Sequence, residues 1–212
     1  MITIENIETC GWGPAIRGMR NPKNSWDKSD SEFYVDTLGH DRAKLGPNDL
    51  ILSNALARGG PVHAKFRRMI KVYCDITAPL YWWKEFDTYK VGTVANSCST
   101  MHTIHRRDLT INDFAHEHLS ECNRNLLDMV IRNINEARRN FVEATDADSA
   151  KQHWWQMIQM LPTSFLQKRT VEMNYEVLSN MYRFRKDHKL DEWRHFCVFI
   201  EQLPYAKPLI LI

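Results

Sequence analysis

No apolar stretch in this sequence approaches the roughly 20 residues that a membrane-spanning helix requires, and its five cysteines include no CxxC pair. It also has no internal repeat, no low-complexity tract and no Gly/Ser linker. These absences remove transmembrane, repeat and disordered proteins from consideration. Cys10, Cys74, Cys98, Cys122 and Cys197 are odd in number and far apart, which fits reduced thiols better than a disulfide framework or a zinc ribbon. Charge of one sign is lacking too: 28 Lys and Arg against 26 Asp and Glu leave a formal +2. Without a concentrated basic face there is no footprint for general nucleic-acid binding. The opening residues MITIENIETCGWG contain acids and no basic start followed by an apolar core, so no secretory signal is read and a cytoplasmic protein is expected.

What is present suits one soluble domain spanning residues 1–212: hydrophobic residues make up 43% and charged residues 25%, ordinary values for a globular chain. The segment PNDLILSNALARGG, 47–60, reads as a short helix with Asn48 or Asp49 as N-cap and Gly59-Gly60 as its stop. In 66–76 the residues Met69, Val72, Cys74 and Ile76 lie closer to period 2 than to 3.6, which predicts a strand. Leu119, Leu126, Leu127, Val130, Ile131 and Ile134 recur at helical spacing and predict a long core-facing helix over 112–144, followed by a second over 146–160. After Leu161-Pro162 the pattern predicts a strand to Met173, a helix capped near Asn174 that ends around Lys186-Asp187, and a final helix over 191–203. The fold class expected is α+β.

The stretch APLYWWKEFDTYKVGTVANSCSTMH, 78–102, begins as an apolar aromatic run and empties into hydroxyls, small residues and an Asn. A buried element opening into a polar, non-repetitive loop is how a scaffold presents a binding site. Thr88, Tyr89, Lys90, Thr93, Asn96 and Cys98 are therefore its candidate binding residues.

Three blocks together resemble the flavin-dependent thymidylate synthases. The first is the helix ending in Gly-Gly, followed by Val62-His63-Ala64-Lys65-Phe66 and a strand. It is similar to that family's Gly-His-x-Ser-Pro-Phe-Glu-His entry, with His63 on the first His and Arg68-Met69 in place of Glu-His. The second is the 78–102 stretch, at the place of the family signature R-H-R-x-x-S-x-N-x-x-S-x-R. The third is Leu161-Pro162 with Asn174, Leu178, Asn180, Arg185 and Asp187. It looks like the family's Leu-Pro...Asn...Leu...Asn...Arg-x-Asp segment, with Asp191 where the family has Gln.

The resemblance implies a single domain with a central, mostly antiparallel sheet packed with long helices, assembled as a homotetramer that builds each site across chains. It implies FAD as cofactor, NADPH and methylenetetrahydrofolate as co-substrates, and transfer of a one-carbon unit to C5 of dUMP without a protein nucleophile. Carried over residue by residue, it makes His63, Tyr89, Lys90 and Asn174 cofactor contacts, and Thr88, Thr93, Asn96, Cys98 and Arg185 substrate contacts. It assigns no catalytic residue and no metal ligand.

The signature positions themselves are altered. Arg-His-Arg becomes Thr88-Tyr89-Lys90, the first Ser becomes Thr93, Asn becomes Ala95, the second Ser becomes Cys98 and the last Arg becomes Thr100. Lys90, Thr93 and Cys98 keep comparable chemistry. A planar guanidinium recognises phosphate by paired charge-assisted hydrogen bonds that a neutral hydroxyl does not replace. Two functions from different classes follow: the flavin-dependent enzyme, or a non-catalytic protein on the same fold that binds or sequesters a small-molecule nucleotide or a nucleotide-derived ligand.

Other patterns admit two readings each. His105 to Asn112, HRRDLTIN, nearly spells the signature again, but polar VANSCSTMHTI precedes it where the family has an apolar element and Pro. It reads instead as a basic loop before the N-cap of a helix whose Asp113 and Glu117 favour its positive end. His102, His105, His116, His118 and Cys122 offer nitrogen ligands for zinc, but His116 and His118 point to different faces of a helix and read as surface or capping residues. Trp82-Trp83 and Trp154-Trp155 suit stacking on a base or flavin, or packing into a core or interface.

Overall fold

The computed structural model describes residues 2–212. In chain order the elements are β1 (Thr3–Cys10), α1 (Trp12–Arg20), β2 (Glu32–Val35), β3 (Asp41–Lys44), α2 (Pro47–Arg58), β4 (Lys71–Pro79), α3 (Leu80–Phe86) and β5 (Thr93–Ser97). They continue with α4 (Thr100–Thr103), α5 (Glu121–Glu143), α6 (Ala147–Met160), β6 (Leu166–Asn174), α7 (Tyr175–Arg185), α8 (Asp191–Glu201) and α9 (Ala206–Leu209). The fold is of the mixed α and β class, with a four-stranded sheet in the order β1-β4-β6-β5 and a two-stranded β2-β3 hairpin. Side-chain pairing shows β4 and β6 to be antiparallel. Lys71 and Tyr73 reach Glu172 while Asp75 accepts from Thr170, so one residue number rises as the other falls. No helix among the described residues is long and apolar enough to cross a membrane.

The chain divides into two compact units that interleave along the sequence. The larger comprises Ile2–Ile76, Asp87–Asn96 and Thr170–Ile212; the smaller comprises Thr77–Phe86 and Ser97–Arg169. In the larger unit, α1 starts at Gly11, whose φ of 84° and position leave no room for a side chain: a Cβ there would lie 2.1 Å from the Met69 carbonyl oxygen. α1 buries Trp12, Ala15, Ile16 and Met19, and the Trp12 ring meets Tyr175 edge-on at 5.4 Å. On the same helix Arg20 is buried against Asp49 of α2, at 2.6 Å between Nε and Oδ1.

In the smaller unit α5 and α6 close over Ile104, Leu109, Phe114, Leu127, Ile131, Ile134 and Met157. Trp82, Trp83 and Phe86 of α3 are buried together, with Trp82 and Trp83 edge-to-face at 4.9 Å. That pair is core. In the other pair, Trp154 is half-buried and donates from Nε1 to the Met101 carbonyl at 3.2 Å, while Trp155 stays 45% exposed.

Three expected boundaries shift. The strand expected over 66–76 begins at Lys71, because residues 64–69 close a 3-10 turn that buries Phe66 and Arg67 together. True alternation starts at Ile70 and runs through Val72, Cys74, Ile76 and Ala78, whereas Met69 is exposed. The helix expected over 112–144 begins at Glu121, capped by the Ser120 hydroxyl. Upstream, the Thr110–Asp113 capping box closes a single 3-10 turn, and Phe114 then pairs in extended form with Phe165. His116 and His118 therefore lie outside the helix. The cap of α2 is Gly46, with Pro47 at the first helical position where its missing N–H costs nothing; neither Asn48 nor Asp49 caps it, and the Asp49 carboxylate serves Arg20 instead.

Candidate functional site

The β6–α7 junction sets the geometry of the candidate site. Asn174 ends the strand and caps the helix, its Oδ1 accepting from the Val177 N–H at 3.0 Å. Gly92 of the 88–93 loop lies against the same side chain. Its φ is 86°, and a Cβ on it would come within 2.5 Å of Asn174 Nδ2, so the loop approaches the cap only because this residue is glycine. One residue on, the Thr93 hydroxyl donates to the Tyr89 carbonyl and closes the loop on itself.

At the other end of α7, Arg185 is held between two rings. Its Nε donates to the Tyr89 hydroxyl at 2.9 Å, and its Cζ stands 4.7 Å from the Trp193 ring centroid and 5.6 Å from that of Tyr89. Tyr89 and Trp193 meet edge-on at 5.9 Å, and Trp193, on α8, is fully buried. Nearby, burial pushes the Cys197 thiol up to about 12, against the downward pull of Arg185.

A depression of about 690 Å³ opens beside α7 in the same unit. Val91 of the 88–93 loop lines it with Glu176, Ser179, Asn180 and Arg183 of α7, Arg58 at the end of α2, Gly60-Pro61 and Arg67. Its size is that of a small-molecule site. Arg67 is 7% exposed, and its Nη1 donates to the Leu209 carbonyl at 3.0 Å. Glu176, the one acidic side chain on this wall, is gripped by Arg68 through both carboxylate oxygens.

Several residues singled out in the sequence meet one another around α7, although none of the candidate contacts lines this depression. Tyr89, Thr93, Asn174 and Arg185 form one connected set, through Tyr89 for Arg185 and Thr93 and through Gly92 for Asn174. Thr88 and Lys90 are exposed in the same loop, and Asn96 is exposed on β5. His63 is exposed beside Gly59, its N–H bonded to the Gly60 carbonyl at 3.1 Å. Cys98 lies in the smaller unit, on the wall of a depression of about 660 Å³ that also presents Thr100, Arg106, Arg107 and Lys168. There its N–H donates to the Lys168 carbonyl and its Sγ is 4.0 Å from Thr103 Oγ1.

Arg107 of the HRRDLTIN stretch is bound by Asp113, which it holds below the usual carboxylate range although burial alone would raise it. The histidines of the same region have other partners: His105 stacks near Phe141, and His116 Nδ1 lies 2.8 Å from the Phe114 carbonyl oxygen. Trp193, Arg67, Gly92 and Val91 also shape this region, and the sequence pattern does not single them out. A glycine at the centre of a hydroxyl-rich loop was the visible signal for Gly92. Arg67 was hidden inside what looked like strand.

No protein-family model matches the chain, and no curated protein matches it in sequence. Solved structures do match it. Thymidylate Synthase X (ThyX) from Helicobacter pylori, solved with FAD and dUMP, superposes with a TM-score of 0.67 over 100% of this chain and 98% of its own, at 15% identity. A second structure of that flavin-dependent enzyme complexed with FAD and dUMP gives 0.66, with 98% and 97% covered at 15% identity. The UMP/dUMP methylase PolB from Streptomyces cacaoi, bound with 5-Br dUMP, gives 0.60 over 95% and 88% at 14% identity. The chain has the fold of the flavin-dependent thymidylate synthases.

Proposed function

We propose that this protein binds a uracil nucleotide or a nucleotide-derived small molecule on the α7 face of its larger unit. The observation that carries the reading is the 690 Å³ depression in which the 88–93 loop and α7 present Val91, Asn180 and Arg183 together. It is supported by the ligands of the structural neighbours, dUMP and 5-Br dUMP. On its wall Arg183 supplies a cation for a phosphate, and Ser179 and Asn180 supply neutral hydrogen bonds; Arg185 and Lys90 are further cations of the same unit, outside this lining.

The fold also implies FAD, and the donor set here fits that group poorly. Thr88, Tyr89 and Lys90 stand where the resembled signature has Arg-His-Arg, and the Tyr89 hydroxyl already accepts from Arg185. Lys90 is left as the one cation of the three, so we assign no chemical step through a flavin. Calorimetric titration with dUMP tests the binding reading; no heat at millimolar dUMP would remove it.

The second reading is a divergent flavin-dependent thymidylate synthase using FAD, NADPH and methylenetetrahydrofolate. The observation favouring it is the likeness over the entire chain to an enzyme solved with FAD and dUMP. Purified protein that is yellow, or that takes up added FAD, favours this reading; colourless protein that refuses FAD removes it. Both readings carry a cytoplasmic homotetramer, for which exposed Leu126, Met129 and Trp155 supply apolar area. A monomer in sedimentation at micromolar concentration would overturn the assembly.

A further inference from the structure

We propose that Arg67 is the anchor of an anion subsite in this depression, seating a phosphoryl group of the nucleotide with Arg58 and Arg183 beside it. The inference rests on the nucleotide reading above and assigns it a specific set of charges. Nothing in the resemblance marks Arg67, which occupies a segment where this chain departs from the family's Glu-His pattern.

Arg67 is 7% exposed, yet the group that accepts from its Nη1 is neutral, the Leu209 carbonyl. Its Nε is buried with no partner at all. A buried guanidinium without a carboxylate is costly, because desolvation is not offset by a facing charge. Burial accordingly pulls the Arg67 pKa down, against the upward influence of Glu176. Glu176 is itself held by Arg68. The remaining ionic side chains on the wall, Arg58 and Arg183, are both cationic and exposed, with Arg58 Nε donating to Asn54 Oδ1 at 2.9 Å. Three arginines around one concavity, the deepest with no carboxylate hydrogen-bonded to it and with Glu176 shared with Arg68, describe a seat suited to an arriving anion. Ser179 and Asn180 add neutral donors on the same wall.

The test is calorimetric titration of the full chain with inorganic pyrophosphate and, separately, with dUMP. Variants are Arg67→Met, Arg58→Ala and Arg183→Ala, with Arg17→Ala on the exposed side of α1 as a control for net charge. Removing any one of the three guanidinium groups should weaken binding of either probe by roughly tenfold to a hundredfold, with Arg17→Ala unchanged. Should dUMP bind all variants as well as the wild type, the subsite is wrong and the nucleotide reading survives. Pyrophosphate binding that depends on these arginines, with no binding of dUMP, keeps the subsite and overturns the nucleotide reading. Binding of neither probe overturns both. If Arg67→Met fails to fold, Arg58→Ala and Arg183→Ala carry the comparison, since both side chains are exposed.

Discussion

Two arginines are buried in the larger unit, and their surroundings differ. Arg20, 3% exposed, faces Asp49 at 2.6 Å, and that carboxylate also accepts from the hydroxyls of Ser29 and Ser31 and from the N–H groups of Asp30 and Ser31. One nitrogen of Arg20, Nη2, has no partner, but the ionic charge is matched. Arg67, 7% exposed, has no carboxylate bonded to it, since Glu176 is taken by Arg68, and it opens onto a depression. Burial of a cation therefore says little by itself. The matched one staples α1 to α2 and the 29–31 segment, whereas the unmatched one, beside further cations, is suited to an anion arriving from solution.

Removing the match should produce the largest effect. Asp49→Ala leaves Arg20 buried and uncompensated and should cost about 3–5 kcal/mol in urea denaturation. Arg67→Met exchanges an unmatched charge for an apolar side chain and should leave stability within about 1 kcal/mol, or raise it. Equal losses from the two substitutions would break the distinction between them.

The same contrast has a pH signature. Burial pushes the Asp49 carboxyl up, but hydrogen bonds from Ser31, Ser29, Arg20 and the Asp30 N–H outweigh it and hold the pKa below the usual carboxylate range. A group whose folded pKa is depressed stabilises the fold above its unfolded value of about 4, and that contribution is lost as pH falls through the folded value. The urea midpoint of the wild type should therefore drop as the solution is acidified below about pH 4. Asp49→Asn, destabilised at neutral pH, should show a shallower drop. An identical acid limb in the two proteins would remove Asp49 from the balance.

Next in size is the other cation of α7. Arg185 is half-buried and is oriented by the Tyr89 hydroxyl and the Trp193 face. Arg185→Ala should weaken dUMP binding by roughly tenfold to a hundredfold while the protein stays folded. Unchanged affinity would remove Arg185 from the site and leave the phosphate to Arg67, Arg58 and Arg183 alone.

What could be read from the sequence follows the range of the interactions involved. The α7 cap at Asn174 and the α6 cap at Asp146 are local: a side-chain oxygen accepts from the N–H three residues on, and an Asn or Asp before an amphipathic run announces it. The core role of Trp82-Trp83 was also one of two readings open from their neighbours. By contrast, Arg185 against Tyr89 and Trp193 joins two distant segments, and no spacing rule links a loop residue to a ring on α8. The 64–69 turn was misread because Phe66 and Ile70 frame two arginines in a pattern that a strand also gives, and burial of Arg67 is visible only in three dimensions. β1 was missed because it is largely exposed and carries no clean alternation of burial.

The smallest effect expected is at Thr88, where the resembled signature begins with an arginine. Thr88 is exposed in the loop that ends at Gly92, and it carries no formal charge. A neutral hydroxyl in water exchanges one hydrogen bond for another, so its net contribution to holding an anion is at most about 1 kcal/mol. Thr88→Ala should therefore change dUMP affinity by less than about fivefold. Thr88→Arg restores a charge at that position, and if the loop faces the phosphate it should tighten binding by about tenfold. A large loss in Thr88→Ala would mean that the hydroxyl touches the ligand directly and that the altered signature has become a different recognition surface. No gain in Thr88→Arg would show that the phosphate is seated away from this end of the loop, on the side where Val91 and Arg67 line the depression.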